Sequence, residues 1–179
     1  MVEKAVSFAT KCHEGTYRKG SQIPYIVHPL ETAVIVSLMT DDEELICAAL
    51  LHDVIEDAGV TENQLEEEFG YRVAHLVMEE TEDKTKSWKE RKRATLKHLE
   101  HASKEVKILV LADKLSNLRT TARDYLLMGD EIWQRFNEKD KLQHAWYYTT
   151  IAARLSELDS FTAYKEYKAL CDQVFGAGE

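Results

Sequence analysis

The sequence predicts an all-α fold, a helical bundle of about 8–10 helices. Only seven Gly and two Pro occur in 179 residues, so the chain has few turn-forming residues and its elements should be long. Apolar residues recur at helical spacing through most of the chain, and no segment shows the alternation that is typical of a strand. The length suits one core, and we expect a single domain over residues 1–179.

The first two predicted helices flank a loop. Apolar residues recur at helical spacing from Val2 to Cys12 and predict a helix that ends near Gly15. A glycine and a proline predict a loop over residues 17–25. Pro29 fits the first turn of a second helix, because its fixed φ suits that position and its missing N–H costs nothing there. This helix should run to about Met39.

The remaining predicted helices follow at short intervals. Asp41 or Asp42 can cap a third helix that runs through Ile55. A Thr-x-x-Gln pattern that starts at Thr61 resembles a capping box and opens a short helix, which Gly70 closes. Further helical patterns occupy residues 71–80, 87–101, 104–123, 138–158 and 161–175.

Charge, hydropathy and cysteine content argue against several classes of protein. The net charge of −9 opposes binding to long nucleic acids, but it does not oppose a small nucleotide as partner. The uninterrupted apolar runs are far shorter than the roughly 20 residues of a membrane span. Three cysteines without a CxxC pair predict reduced thiols, so we expect a cytoplasmic protein without a membrane partner. The sequence leaves the oligomeric state open.

Acidic and basic residues are segregated along the chain. Eleven Asp or Glu and no Lys or Arg lie between Asp41 and Glu68. The segment Lys84–Lys97 has seven basic residues and one acidic residue. Most charges of this kind belong to solvated surfaces. The role of the basic segment therefore stays open between a solvated helix and a contact with a phosphate group.

The candidate chemistry starts with the adjacent residues His52 and Asp53, which lie inside an apolar helical segment. Burying this pair is costly unless each side chain has a partner, and a bound cation is a partner for both. His28 and Asp113 are the best candidates for further ligands. Two imidazoles and two carboxylates suit Mn, Fe or Zn. Taken alone, the dipeptide could equally be a salt-bridged pair in the core.

Three polar residues follow the candidate ligands at helical spacing. Glu56 and Asp57 each lie four residues after one of the adjacent candidate ligands, so they should project from the same helix face and could transfer protons there. Asn117 lies four residues after Asp113 and could orient water or a phosphate oxygen. An acidic helix end is the alternative reading of the two carboxylates.

Four separated motifs follow one another in a specific order. They are Arg18-Lys19-Gly20, Pro24–Pro29, Ala48–Asp57 and Leu111–Arg119. In order and spacing these motifs resemble the hydrolase domain of RelA/SpoT homologues, and the resemblance covers roughly residues 3–158. The segments Thr81–Thr85 and Glu90–Arg93 are similar to the metazoan SpoT homologues, a subgroup of stand-alone small alarmone hydrolases that have no synthetase domain.

The resemblance implies an HD-type helical fold that holds one Mn2+ ion. The family's ligand motif falls on the four residues already identified, His28, His52, Asp53 and Asp113. The family's catalytic pair falls on Glu56 and Asp57, which would position or activate water for attack on the phosphorus at the 3′ position of (p)ppGpp. The products would be pyrophosphate with GDP or GTP.

The resemblance also implies substrate contacts. Arg18 would lie over the purine face and Lys19 near a phosphate group. Asn117 and Thr120 match family positions near the ribose or the 3′ phosphates. Tyr148 aligns with a family tyrosine, although it belongs to a run of three aromatic residues that is also typical of a core or an interface.

Departures from the family pattern leave alternatives open. The loop between Lys19 and Tyr25 is one residue longer than in the long bifunctional enzymes, which leaves base specificity open. Lys114 and Ser116 stand where those enzymes commonly have arginine and histidine.

One alternative function is that of an HD-type phosphatase that acts on another nucleotide, either on the 2′-phosphate of NADPH or on a nucleoside monophosphate. A non-catalytic nucleotide-sensing domain is another. The sequence determines neither the metal loaded in the cell nor the preference among ppGpp, pppGpp and NADPH.

Overall fold

The protein is built from α-helices that surround one long central helix. The computed structural model describes residues 1–176, and within this range an isolated bridge between Tyr17 and Pro24 is the only β-type pairing. The helices are α1 (Val2–Cys12), α2 (Val27–Ser37), α3 (Glu43–Leu51), α4 (Val54–Ala58), α5 (Glu62–Phe69), α6 (Tyr71–Glu80), α7 (Trp88–His98), α8 (Lys104–Met128), α9 (Lys141–Arg154) and α10 (Thr162–Phe175). The predicted all-α fold is confirmed.

Helix α8 is the centre of the bundle. It packs against α2, α3, α6 and α10, and buried apolar side chains from these helices form a continuous core. Residues 106–113 of α8 are all buried, including Lys107 and Asp113. Because a buried carboxylate needs a partner, Asp113 marks the point where the core meets a polar site.

The predicted starts and ends of the early helices agree with the structure. Helix α1 ends at Cys12, and Pro29 lies in the first turn of α2. The capping box at Thr61 is present. The Thr61 side chain accepts a hydrogen bond from the backbone N–H of Gln64, the third helical residue, and the Gln64 side chain accepts one from the backbone N–H of Thr61. Helix α5 ends at Gly70, whose φ of 90° favours glycine.

The third helix is shorter than predicted, because it breaks at His52 and Asp53 instead of running through Ile55. Nδ1 of His52 donates a hydrogen bond to the carbonyl oxygen of Ala49, 2.8 Å away. In a continuous helix this carbonyl would accept the backbone N–H of Asp53. The side chain therefore competes with the backbone, and α4 begins as a separate helix at Val54.

The C-terminal half differs from the prediction at four helix ends, one of which is the end of α9 at Arg154 instead of position 158. Helix α7 ends at His98, before the predicted position 101, whereas α8 continues beyond position 123 to Met128. Helix α9 begins at Lys141, after the predicted position 138, because the Asp140 side chain accepts a hydrogen bond from the backbone of the second helical residue and caps the helix there. A 3₁₀ helix over Gly129–Arg135 was not predicted.

Asp42 is the cap of α3, and its removal should destabilise the protein. Its carboxylate accepts hydrogen bonds from the backbone N–H groups of Glu44 and Leu45 and from Arg72. We expect Asp42→Ala to lower the free energy of unfolding by about 1–2 kcal/mol near neutral pH. Asp41→Ala is the matched control, since Asp42 alone of the two caps the helix. Urea denaturation measures both.

The destabilisation should depend on pH with a defined sign. Hydrogen bonding and charge from Arg72 lower the pKa of Asp42 from 3.8 to about 2. A carboxylate with a lowered pKa stabilises the fold above its unfolded pKa, and this contribution is lost as the pH falls through the folded value. The stability difference between the wild type and Asp42→Ala should narrow between pH 4 and pH 2. A difference that stays constant over this range would contradict the assignment.

Within residues 1–176, no helix is both long enough and apolar enough to span a membrane. The cysteines Cys12, Cys47 and Cys171 carry free thiols.

Candidate functional site

A cleft with a volume of about 360 Å³ contains the candidate site. Its walls come from the loop after α1, from α2, from the turn between α3 and α4, from α4, from α6 to α9 and from the 3₁₀ helix. The residues singled out from the sequence all line it: Arg18, Lys19, His28, His52, Asp53, Glu56, Asp57, Asp113, Asn117, Thr120 and Tyr148. A cleft of this size can bury a nucleotide-sized ligand.

Two imidazoles and two carboxylates converge at the base of this cleft. Nε2 of His28 lies 3.0 Å from Oδ1 of Asp113 and 3.6 Å from Oδ2 of Asp53. Nε2 of His52 lies 2.9 Å from Oδ2 of Asp53 and 3.7 Å from Oδ1 of Asp113. The two Nε2 atoms are 3.2 Å apart. One atom each from His28, His52 and Asp113 can therefore contact a single metal ion.

The outer nitrogens of both imidazoles have hydrogen-bond partners. Nδ1 of His52 faces the carbonyl oxygen of Ala49 at 2.8 Å, and a carbonyl oxygen can only accept, so this nitrogen carries the hydrogen. Nδ1 of His28 lies 2.8 Å from Oγ of Ser116. Because the Ser116 hydroxyl donates its hydrogen to Glu31, Nδ1 of His28 must also be a donor. In its neutral form, each ring would therefore present a bare Nε2 to the cluster.

The charges of the cluster favour a cation at its centre. Burial opposes the charged form of His52, but Asp53 and Asp113 outweigh burial and raise its pKa well above the ordinary value. Burial likewise opposes the ionised forms of both aspartates, yet neighbouring cationic groups lower the pKa of each. The two ionised aspartates need positive charge beside them, which His52 supplies in the free protein and which a metal ion would supply in place of the Nε2 hydrogen. The three donors His28, His52 and Asp113 therefore fit a divalent metal ion, whereas Asp53 as a fourth ligand stays a prediction.

Glu56 and Asp57 lie on α4, which follows the broken helix. Oε1 of Glu56 accepts a hydrogen bond from the backbone N–H of Glu82 at 2.6 Å. Burial raises the pKa of Glu56. Oδ1 of Asp57 accepts a hydrogen bond from Lys84 at 2.5 Å, and its side chain is 33% exposed against 14% for Glu56. Glu56 is therefore the better candidate for accepting a proton.

Asn117 connects the metal-ligand cluster with the predicted substrate loop. Its Nδ2 donates to Oδ1 of Asp113 at 2.6 Å, and its Oδ1 accepts from Nη2 of Arg18 at 2.9 Å. The Arg18 guanidinium also lies 5.7 Å from the centre of the Tyr25 ring. The loop arginine is thus held beside the cluster by a polar and an aromatic contact.

The other three predicted substrate residues line the cleft in different ways. Lys19 is exposed. The hydroxyl of Thr120 donates to the carbonyl oxygen of Ser116 at 3.4 Å, a local contact within α8. Tyr148 also packs against other aromatic rings, with centroids 5.6 Å from Tyr147 and 5.7 Å from Phe175. Tyr148 therefore belongs to the aromatic core and to the cleft wall at the same time.

Several residues of the cleft were not assigned a site role from the sequence. The Tyr25 hydroxyl donates to Oδ2 of Asp53 at 2.7 Å. The Lys114 ammonium binds Oδ2 of Asp113. Glu80 lies 3.9 Å from Lys114, and burial followed by the charge of Asp113 raises the pKa of Glu80 to about 8. The quoted motifs contain Tyr25 and Lys114, but nothing in the sequence indicates which ligand each side chain reaches.

The basic segment Lys84–Lys97 divides into residues at the cleft and residues outside it. Arg91 and Lys92 line the cleft and bind the Glu82 carboxylate at 2.9 and 2.8 Å. Lys84 pairs with Asp57, and Lys89 is exposed and does not line the cleft. Of these four basic residues, Arg91 and Lys92 are the ones that line the cleft.

Comparisons with known proteins identify the family of the chain. A family model described as HD domain matches residues 5–142. The guanosine-3′,5′-bis(diphosphate) 3′-pyrophosphohydrolase MESH1 of Xenopus tropicalis is 41% identical over 126 residues, which cover 69% of this chain and 70% of that protein.

Two solved structures share the fold. The Listeria monocytogenes EGD-e protein lmo0812 superposes with a TM-score of 0.77 at 34% identity, covering 84% of this chain and 99% of that chain. A metazoan orthologue of SpoT that hydrolyses ppGpp superposes with a TM-score of 0.76 at 28% identity, covering 97% of this chain and 93% of that chain. Both solved structures thus share the helical architecture of this chain.

Proposed function

The chain belongs to the HD domain family, and we propose that its reaction is the Mn2+-dependent hydrolysis of (p)ppGpp at the 3′ position. The observation that carries the proposal is the convergence of the four ligand-type side chains, the two carboxylates and the Arg-Lys loop on one cleft. Relatives at about 40% identity are named as enzymes of this reaction, which supports the substrate class. The products would be pyrophosphate with GDP or GTP.

His28, His52, Asp53 and Asp113 would hold the metal ion. The mixed nitrogen and oxygen donors suit Mn2+ among the divalent transition metals. When bound, the ion would supply positive charge that stabilises the phosphoryl oxygens and makes water more acidic. Lys114 would keep Asp113 ionised and in place, because its ammonium group contacts the carboxylate oxygen that does not face the imidazoles.

Glu56 would take the proton from the attacking water. Its burial raises its pKa, which makes it a stronger base than an exposed glutamate, and the backbone N–H of Glu82 holds one of its oxygens. The water oxygen would bond to the phosphorus at the 3′ position as the bond to the 3′ oxygen breaks. Asp57, held by Lys84, would support Glu56 at the cleft mouth.

The nucleoside end of the substrate would meet the loop after α1. A planar guanidinium can stack on a purine, and Asn117 orients that of Arg18 at the cleft wall. Lys19, exposed beside it, would attract the phosphates. Thr120 and Tyr148 would complete the wall near the ribose.

A second candidate is phosphate release from another nucleotide, such as NADPH or a nucleoside monophosphate. The cationic side chains Arg91, Lys92 and Lys114 on the cleft wall support it, because they could bind a phosphate group other than the one attacked. The two reactions differ in their products. The first yields pyrophosphate, and the second yields inorganic phosphate.

The testing experiment incubates the purified protein with ppGpp, with and without Mn2+, and resolves the products by anion-exchange chromatography. We expect GDP and pyrophosphate from the wild type with Mn2+, no turnover by Asp53→Ala, and normal turnover by Asp172→Ala, an exposed aspartate on α10. Inorganic phosphate from NADPH without ppGpp turnover would favour the second candidate. Nucleotide binding without turnover of either would indicate a sensing domain.

A further inference from the structure

A chain of hydrogen bonds leads from the candidate metal site to the bundle surface. The hydroxyl of Ser116 lies 2.8 Å from Nδ1 of His28 and donates to Oε2 of Glu31 at 2.7 Å. Oε1 of Glu31 accepts from Arg119 at 2.9 Å, and Arg119 forms a two-pronged pair with Glu166 on α10 at 2.6 and 2.7 Å. Only the first two members are fully buried, with His28 at 2% and Ser116 at 1% exposure.

We propose that Ser116 is a positioning residue whose hydroxyl, oriented by Glu31, keeps His28 in the tautomer that turns a bare Nε2 towards the metal ion. The inference rests on the metal site of the proposed function and assigns Ser116 and Glu31 a role in it. It concerns the free protein as well as the loaded one, since the hydrogen bonds exist without a ligand.

The direction of the hydrogen bonds follows from the number of hydrogens available. A serine hydroxyl has one hydrogen to donate. The carboxylate of Glu31 can only accept, and Arg119 holds it in place from its other oxygen. The single hydroxyl hydrogen is therefore committed to Glu31, and the lone pairs of the serine oxygen face His28. Nδ1 of His28 must then carry the hydrogen of the neutral ring.

The opposite tautomer would close the site. Nε2 of His28 lies 3.0 Å from Oδ1 of Asp113, which is hydrogen-bond distance. With the hydrogen on Nε2, the ring would donate to Asp113, and neither atom would keep a lone pair free for an ion along that contact. Ser116 opposes this hydrogen bond between His28 and Asp113, because its hydroxyl oxygen is an acceptor for a hydrogen on Nδ1, the other nitrogen of the ring. Ser116 thus favours the tautomer in which Nε2 of His28 and Oδ1 of Asp113 can both bind an ion, over the tautomer in which they hydrogen-bond to each other.

Ser116→Ala removes the acceptor and should shift His28 towards the closed tautomer. We expect Mn2+ affinity, measured by calorimetric titration of the free protein, to fall about 10- to 100-fold. We also expect the ¹⁵N resonances of the His28 ring in the metal-free protein to move from the Nδ1–H pattern to the Nε2–H pattern. The second readout would not change if Ser116 only filled space.

Thr32→Val is the matched control. Thr32 is buried on α2, and its hydroxyl donates to the backbone oxygen of His28 at 3.0 Å, so it contacts the same residue without touching the ring. We expect its Mn2+ affinity and its ring resonances to equal those of the wild type.

A second variant tests the same tautomer by changing a more exposed residue, whose substitution disturbs the fold less. Glu31→Leu removes the acceptor of the serine hydroxyl, which can then donate to Nδ1, and Mn2+ affinity should fall as in Ser116→Ala. Unchanged affinity and unchanged ring resonances in either folded variant would overturn the role of Ser116 while leaving the metal site intact. A wild type that binds no Mn2+ would overturn the metal site as well.

Discussion

Asp113→Asn should abolish Mn2+ binding and reduce hydrolysis by roughly 10³-fold or more. Oδ1 of Asp113 is the cluster oxygen closest to His28, and it also lies near His52. Asparagine keeps the shape of the side chain but removes its negative charge, so the two imidazoles lose one of the two carboxylates that attract a cation. Calorimetric titration of the free protein and turnover of ppGpp measure the two effects.

The loss must be separated from a folding defect. Asp113 also binds Lys114, and in the variant Glu80, at 3.9 Å from that ammonium group, can take over the pairing. Asp124→Asn is the matched control, because Asp124 lines the same cleft but pairs with Arg135. We expect this control to keep wild-type Mn2+ affinity. Wild-type Mn2+ affinity in a folded Asp113→Asn protein would contradict the ligand assignment.

Glu56→Gln should lower kcat by about 10²- to 10⁴-fold, the range for losing a general base, with little change in KM. Glutamine preserves the acceptor for the Glu82 N–H but cannot take a proton from water. The metal ligands are untouched, so Mn2+ affinity should equal that of the wild type. Steady-state kinetics with ppGpp and a Mn2+ titration together distinguish this result from loss of the metal.

Asp57→Asn is the comparison for Glu56→Gln. Its side chain is more exposed and pairs with Lys84, so we expect a smaller decrease in kcat. A larger decrease than in Glu56→Gln would assign the proton transfer to Asp57. A parallel loss of Mn2+ affinity in Glu56→Gln would instead place Glu56 among the metal ligands.

The elements that could be predicted from the sequence are those that depend on neighbouring residues. The helical spacing from Val2 to Cys12 and the capping box at Thr61 appear where they were expected, because backbone hydrogen bonds join residues four apart. The break at His52 was not predicted. The contact of its imidazole with the Ala49 carbonyl is local, but the orientation of the ring also depends on His28 and Asp113, which are distant in sequence.

The same distinction between local and long-range contacts applies to the candidate site. The sequence by itself indicated which residues are candidates for the chemistry, because His52, Asp53, Glu56 and Asp57 lie in one motif with a known pattern. It also located the loop with Arg18. It did not determine which of these side chains touch each other.

Those contacts were decided by the tertiary structure. Arg18 reaches Asn117 across 99 positions of sequence, and Ser116 reaches Glu31 across 85. The physical reason is that local spacing follows from the geometry of one helix, whereas contacts between distant residues follow from how α2, α3 and α8 pack around a shared core. The same packing places Oγ of Ser116 2.8 Å from Nδ1 of His28, the contact on which the proposed tautomer rests.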